Sequence, residues 1–133
     1  MERKILIVDD EAHIRMLIEQ TLEELEDEDV NFLTADNGED ALDIICSEKP
    51  QLVFLDVMMP RMNGMEVCRR VKKELTLEDV YIILLTAKGQ EVDRLKGQEV
   101  GADVYMTKPF DPDELMNAIR RISNGSSPNR SSE

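Results

Sequence analysis

At 133 residues the chain is long enough for one domain with a single sizeable core and too short for two comfortable ones. Its 29 acidic against 16 basic side chains give a formal net charge of −13, which repels nucleic acid and anionic lipid and favours cationic partners or metal ions. No apolar run approaches membrane-spanning length, and Asp9 and Asp10 interrupt the short hydrophobic stretch near the N-terminus, so the expectation is a soluble cytoplasmic protein that binds neither nucleic acid nor membrane.

Lys4-Ile5-Leu6-Ile7-Val8 is a β-branched run of strand length that stops at Asp9-Asp10-Glu11. From about Ala12, Ile14, Leu17, Ile18, Leu22 and Leu25 recur at helical spacing and predict an amphipathic helix. The acidic run Glu26-Asp27-Glu28-Asp29 after it reads as an exposed loop. Val30 to Ala35 predicts a second strand. Asp36-Asn37-Gly38 punctuates it before a helix carrying Ala41, Leu42, Ile44 and Ile45, which Pro50 closes.

Leu52-Val53-Phe54-Leu55 reads as a strand buried on both faces, and Asp56 ends it. Pro60 to Gly64 forms a loop, after which Met65, Cys68, Val71 and Leu75 are spaced for one buried stripe. Val80 to Leu85 is a further buried strand ending in Thr86-Ala87-Lys88. A weaker helix follows, marked by Val92, Leu95 and Val100 and terminated by Gly101. The last strand, Asp103 to Met106, runs into Thr107-Lys108-Pro109. Asp111-Pro112-Asp113-Glu114 then starts a helix with Leu115, Ala118, Ile119 and Ile122 as its stripe. Residues 123–133 have almost nothing apolar to bury and read as a disordered tail, a linker stub or a cloning remnant, leaving 1–122 as the domain. Cys46 and Cys68 have no Cys-x-x-Cys or Cys/His ligand spacing and read as small core residues in a reduced compartment.

Strands and helices alternating one at a time predict a doubly wound α/β fold: five parallel strands, helices on both faces and right-handed crossovers. The most apolar strands, the first, third and fourth, belong at the centre, which suits the flavodoxin-like order 2-1-3-4-5. That order puts the switch point between the first and third strands, so Asp9, Asp10 and Asp56 should converge in one crevice. Clustered carboxylates oppose folding unless a cation shares the site, and oxygen-only donors point to Mg²⁺, with Mn²⁺ as a substitute. Lys108 and Thr86, at neighbouring strand ends, can face the same pocket. Mg²⁺, lysine and a hydroxyl form a set that neutralises phosphoryl oxygens, with Asp56 as a candidate nucleophile.

Asp9-Asp10 after the first strand, Asp56 after the third, Thr86 after the fourth and Lys108-Pro109 after the fifth resemble the motif set of the receiver domain of two-component response regulators, over about residues 3 to 122. The resemblance implies that Asp56 accepts a phosphoryl group from a histidine kinase or a histidine phosphotransfer protein. It implies Mg²⁺ held by Asp10, Asp56 and the backbone carbonyl of Met58, with Asp9 acting through a metal-bound water or as a further ligand. Lys108 would pair with the phosphoryl oxygens, and Thr86 with Tyr105 would form the switch pair. The domain would be a signalling acceptor rather than an enzyme, with self-catalysed phosphorylation and dephosphorylation. The surface read by an output partner would comprise the fourth helix, fifth strand and fifth helix. Lys88 and Met58 occupy positions that in the family modulate phosphoryl loss. His13 reads as a surface residue and the Met58-Met59 pair as packing.

Many family members that dimerise through that face carry two acids at the start of the fifth strand, whereas Asp103 is followed here by Val104. Arg94, Arg120 and Arg121 remain compatible with a phosphorylation-dependent homodimer. A haloacid-dehalogenase-type phosphohydrolase also uses a strand-end aspartate, but in an Asp-x-Asp pattern, and the second position here is Met58. For a nucleotide or flavin carrier the chain lacks a Gly-x-Gly-x-x-Gly or P-loop run.

Overall fold

Apolar runs that bury both faces need neighbours on either side, and the strands satisfy this by forming one parallel sheet. A computed structural model describes residues 3–25, 30–59, 61–87, 99–108, 113–115 and 117. Strands β1 (Arg3–Val8), β2 (Val30–Ala35), β3 (Leu52–Asp56), β4 (Tyr81–Ala87) and β5 (Val104–Lys108) lie in the order β2-β1-β3-β4-β5, every neighbouring pair parallel. This is the expected flavodoxin-like order, with β1, β3 and β4 inside and β2 and β5 at the edges.

The two-residue repeat of a strand sorts each run into two cores. Leu6, Val8, Val53, Leu55, Ile82 and Leu84 point to one face, where they meet Ala41 and Ile45 of helix α2 (Gly38–Glu48) and Val67 and Cys68 of helix α3 (Gly64–Arg69). Ile5, Ile7, Leu52, Phe54, Ile83 and Leu85 point to the other, against Ile18 and Leu22 of helix α1 (Ala12–Leu25) and Leu115 of the helical residues 113–115. Helix α2 begins where the sequence places it: Asn37, buried, accepts from the Asp40 N–H at 2.9 Å. Asn37→Ala should therefore lower stability by about 1 kcal/mol, read as a lower urea midpoint at unchanged slope. Gly101, with φ of 90°, adopts the left-handed conformation of the expected helix end.

Four expectations need correction. Of the pair Met58-Met59, Met59 packs on the core while Met58 is 59 % exposed, because successive residues of the loop after β3 point different ways. Leu17 is 49 % exposed, because α1 lies against the sheet along the narrower line of Ile14, Ile18 and Leu22. Cys46 is exposed, since it follows the buried Ile45 and one helical step of about 100° carries it off the apolar stripe. Leu75 is 44 % exposed. Helix α3 widens into a π-helical turn over Arg70–Glu74, and the Leu75 N–H bonds the Arg70 carbonyl at 2.8 Å. A wider turn advances each residue by a smaller angle, so Leu75 stops short of the buried stripe and Leu77 packs there instead. The expected loop at 26–29, much of the fourth and fifth helices, the tail 123–133 and residues Lys88, Arg94, Arg120 and Arg121 lie outside the described residues. Among the described residues no helix is long and apolar enough to cross a membrane.

Candidate functional site

β1 and β3 are neighbours, yet the chain leaves β1 towards β2 and returns on the other side to β3. Their carboxyl ends therefore open into a crevice that no crossover covers. Asp9 follows β1 and is fully buried; its N–H donates to the Ala35 carbonyl at 3.2 Å and its Oδ1 accepts from the Glu11 N–H at 3.0 Å. The Arg15 guanidinium donates to the Asp9 carbonyl, so the residue is fixed from three directions. Asp56, the last residue of β3, is 4 % exposed, while Asp10 is exposed. One oxygen from each of Asp9, Asp10 and Asp56 lies within 4.8 Å of the others.

Lys108, the last residue of β5, places its Nζ 3.1 Å from Asp9 Oδ2 and 3.4 Å from Asp56 Oδ1. Asp10, Glu11, Asp56, Met58 and Lys108 line a crevice of about 280 Å³. Gly64 lies behind Asp56: a side chain there would collide with the Asp56 backbone carbonyl, so only glycine lets the start of α3 approach the end of β3.

Burial pushes the Asp56 carboxyl up to about 6, and the nearby Asp9 charge adds to this against the opposing pull of Lys108. Partial burial acts to lower the Lys108 pKa, but the Asp56 charge and the contacts with Asp9 outweigh it, and the amine sits above its ordinary value. The pocket is thus a charged cluster with more negative than positive groups. An oxygen-only donor set of three close carboxylates, one exposed to solvent, fits a hard divalent cation.

The sequence-predicted residues are not all in one place. Asp9, Asp10, Asp56, Met58 and Lys108 meet at the crevice. Thr86 is buried at the end of β4 and Tyr105 is half-buried on β5; neither is among the lining residues. Leu84 is paired with Tyr105 and Thr86 with Thr107, so Thr86 and Tyr105 share one sheet face on adjacent strands. Glu11, which the sequence reading left without a role, is a fourth carboxylate at the rim. Its position directly after Asp9-Asp10 was the available signal. Asp103 also differs from expectation in kind: its carboxylate is turned inward, onto Lys72.

The family model described as the response regulator receiver domain matches residues 5–120. The chain is 50% identical over 121 residues to "Probable transcriptional regulator ycf27" of Porphyra purpurea, covering 91% of this chain and 47% of that protein. It is 43% identical over 122 residues to the alkaline phosphatase synthesis transcriptional regulatory protein PhoP of Bacillus subtilis, covering 92% and 49%. The chain spans about half the length of these curated relatives. Among solved structures, DrrB of Thermotoga maritima, an OmpR/PhoB homolog, superposes with a TM-score of 0.78 at 36% identity, covering 96% of this chain and 55% of that one.

Proposed function

The chain belongs to the response regulator receiver domain family, the phospho-accepting signalling module of two-component systems, and from that premise we propose that Asp56 is its phosphoryl acceptor. The donor is a phosphohistidine on a sensor kinase or a histidine phosphotransfer protein. One Asp56 oxygen attacks phosphorus, the P–N bond breaks, its electron pair stays on the imidazole nitrogen, and an acyl phosphate results. The observation that carries the proposal is Lys108, whose amine reaches both Asp9 and Asp56 and is placed to follow the charge onto the phosphoryl oxygens.

Asp9, Asp10 and Asp56, with the backbone carbonyl of Met58, would hold Mg²⁺ or Mn²⁺. Bound there, the cation supplies charge neutralisation to the phosphoryl oxygens. Met58 lines the crevice where a phosphohydrolase of the Asp-x-Asp type carries its second acid, which supports storage of the phosphoryl group over rapid turnover of small esters. Slow self-catalysed hydrolysis then returns the domain to rest.

Signalling follows from the nearly two negative charges added at Asp56. They draw the Thr86 hydroxyl towards the crevice, and the half-buried Tyr105 on the same sheet face turns into the space released. The face around the fourth helix, β5 and the fifth helix carries the change to an output partner. The names of the relatives support a transcription-regulating one, with nucleic acid bound outside this domain. A phosphorylation-dependent homodimer on that face would have to form without Asp103, whose carboxylate is engaged internally. Light scattering with and without a phosphoryl mimic reports it.

Incubation with Mg²⁺ and acetyl phosphate should add the mass of one phosphoryl group to the wild-type chain and none to Asp56→Asn. Uptake by the variant equal to wild type, or none by wild type, removes the proposal.

A further inference from the structure

β5 is an edge strand, paired along one side only, to β4. In such a strand a slip of one residue turns every side chain to the opposite face, so something must hold the register that brings Lys108 to the crevice. Asp103, immediately before β5, is built for this. Its N–H donates to the Ile82 carbonyl at 3.0 Å, and its Oδ2 accepts from the Ile82 N–H at 2.9 Å. Both backbone groups of one β4 residue are thus bound by one residue at the start of β5.

A buried carboxylate needs a counter-charge. Lys72, in the π-helical turn after α3, supplies it: its Nζ lies 2.9 Å from Asp103 Oδ2, with the two side chains only 9% and 7% exposed. The same amine donates to the Val80 carbonyl at 2.6 Å, just ahead of β4. One cation therefore ties the end of α3, the approach to β4 and the start of β5 together. This cluster lies at the opposite end of β5 from Lys108, roughly 16 Å away at the usual strand rise.

We propose that Asp103 is a positioning residue for phosphoryl transfer, its two bonds to the Ile82 backbone fixing β5 against β4 in the register that sets Lys108 between Asp9 and Asp56, with Lys72 as the counter-charge that keeps the carboxylate in place. The inference rests on the acceptor reading of Asp56. It also gives the π-helical turn a purpose: that turn carries the lysine that neutralises the clamping carboxylate.

The test compares wild type, Asp103→Ala and the double variant Asp103→Asn with Lys72→Met. The double variant keeps an acceptor for the Ile82 N–H and leaves no unpaired buried cation. At saturating Mg²⁺, acetyl phosphate should phosphorylate Asp103→Ala at least about tenfold more slowly than wild type, as misplacing one charged group at a reacting centre does. Mg²⁺ affinity by calorimetry should not weaken, because the carboxylates stay on β1 and β3. The double variant should recover to within about threefold of wild type, since its geometry is kept. If Asp103→Ala fails to fold, Asp103→Ala with Lys72→Met, which leaves neither an acceptor for the Ile82 N–H nor an unpaired buried cation, serves as the clamp-free variant, with the same expected loss. A folded clamp-free variant as fast as wild type overturns the inference, as does a loss of Mg²⁺ affinity equal to the loss of rate. A double variant as slow as the clamp-free one does so too. Absence of phosphoryl uptake by wild type overturns the acceptor reading itself.

Discussion

Lys108→Ala is expected to slow phosphorylation of the chain by acetyl phosphate about 10²- to 10³-fold, the usual cost of removing one preorganised charge from a transfer site. Among the described residues Lys108 is the cation within 4 Å of both Asp9 and Asp56. When phosphorus is attacked, negative charge builds on oxygens that the surrounding carboxylates repel, and without the amine that repulsion is screened only by the metal. Mg²⁺ affinity should move the other way and rise, because the amine competes with the metal ion for the same carboxylate oxygens. Opposite signs separate a charge effect from a damaged crevice, which would lower both. Lys108→Arg should fall between the two, because its planar fork cannot place a point charge in a site shaped for an ammonium. An Ala variant phosphorylated at the wild-type rate would remove Lys108 from the mechanism, whatever its affinity for metal.

The sheet was legible because its order depends on how apolar each run is. β1, β3 and β4 bury both faces and must lie inside, whereas β2 and β5 mix burial with exposure and suit the edges. The crevice was legible for a related reason: a charged residue directly after a buried parallel strand has one place to go, the open carboxyl end. Helix phase was not. Periodicity assumes a uniform turn, and the π-helical segment at Arg70–Glu74 breaks that assumption, so Leu75 turns outward. Cys46 and Leu17 show the same limit from the other side, as apolar identity does not state which residues at the border of a stripe meet the sheet. Asp103 and Lys72 could not be paired from sequence, because neither periodicity nor a motif links them and only the fold brings them together. Thr86 was expected to face the pocket; its sheet face, shared with Leu84, emerges from strand parity once the register is known.

Without metal, the stability gap between Asp56→Asn and wild type should widen as pH rises from 4 to 7.5. Burial and the Asp9 charge raise the Asp56 carboxyl from 3.8 to about 6. A group whose folded value lies above its unfolded value binds a proton more tightly in the native state, so its contribution is fully present below the unfolded value and is lost as pH climbs through about 6. Wild type therefore carries an ionised, poorly compensated carboxylate at neutral pH that the amide lacks. The shift corresponds to at most about 3 kcal/mol, and the opening of the crevice to water reduces this to roughly 1–2 kcal/mol. Denaturant titrations of both proteins across the range measure it, and the difference between them isolates Asp56 from the other carboxylates that titrate in acid. Mg²⁺ should narrow or reverse the gap at pH 7.5 by stabilising the ionised wild type more than the amide, which offers a weaker donor. The strain on Asp56 in the metal-free protein and the affinity of the crevice for a cation then share a source, a carboxylate that burial first and the neighbouring Asp9 charge second make costly to ionise. A gap that stays constant across the pH range, or one that Mg²⁺ leaves untouched, would contradict that source.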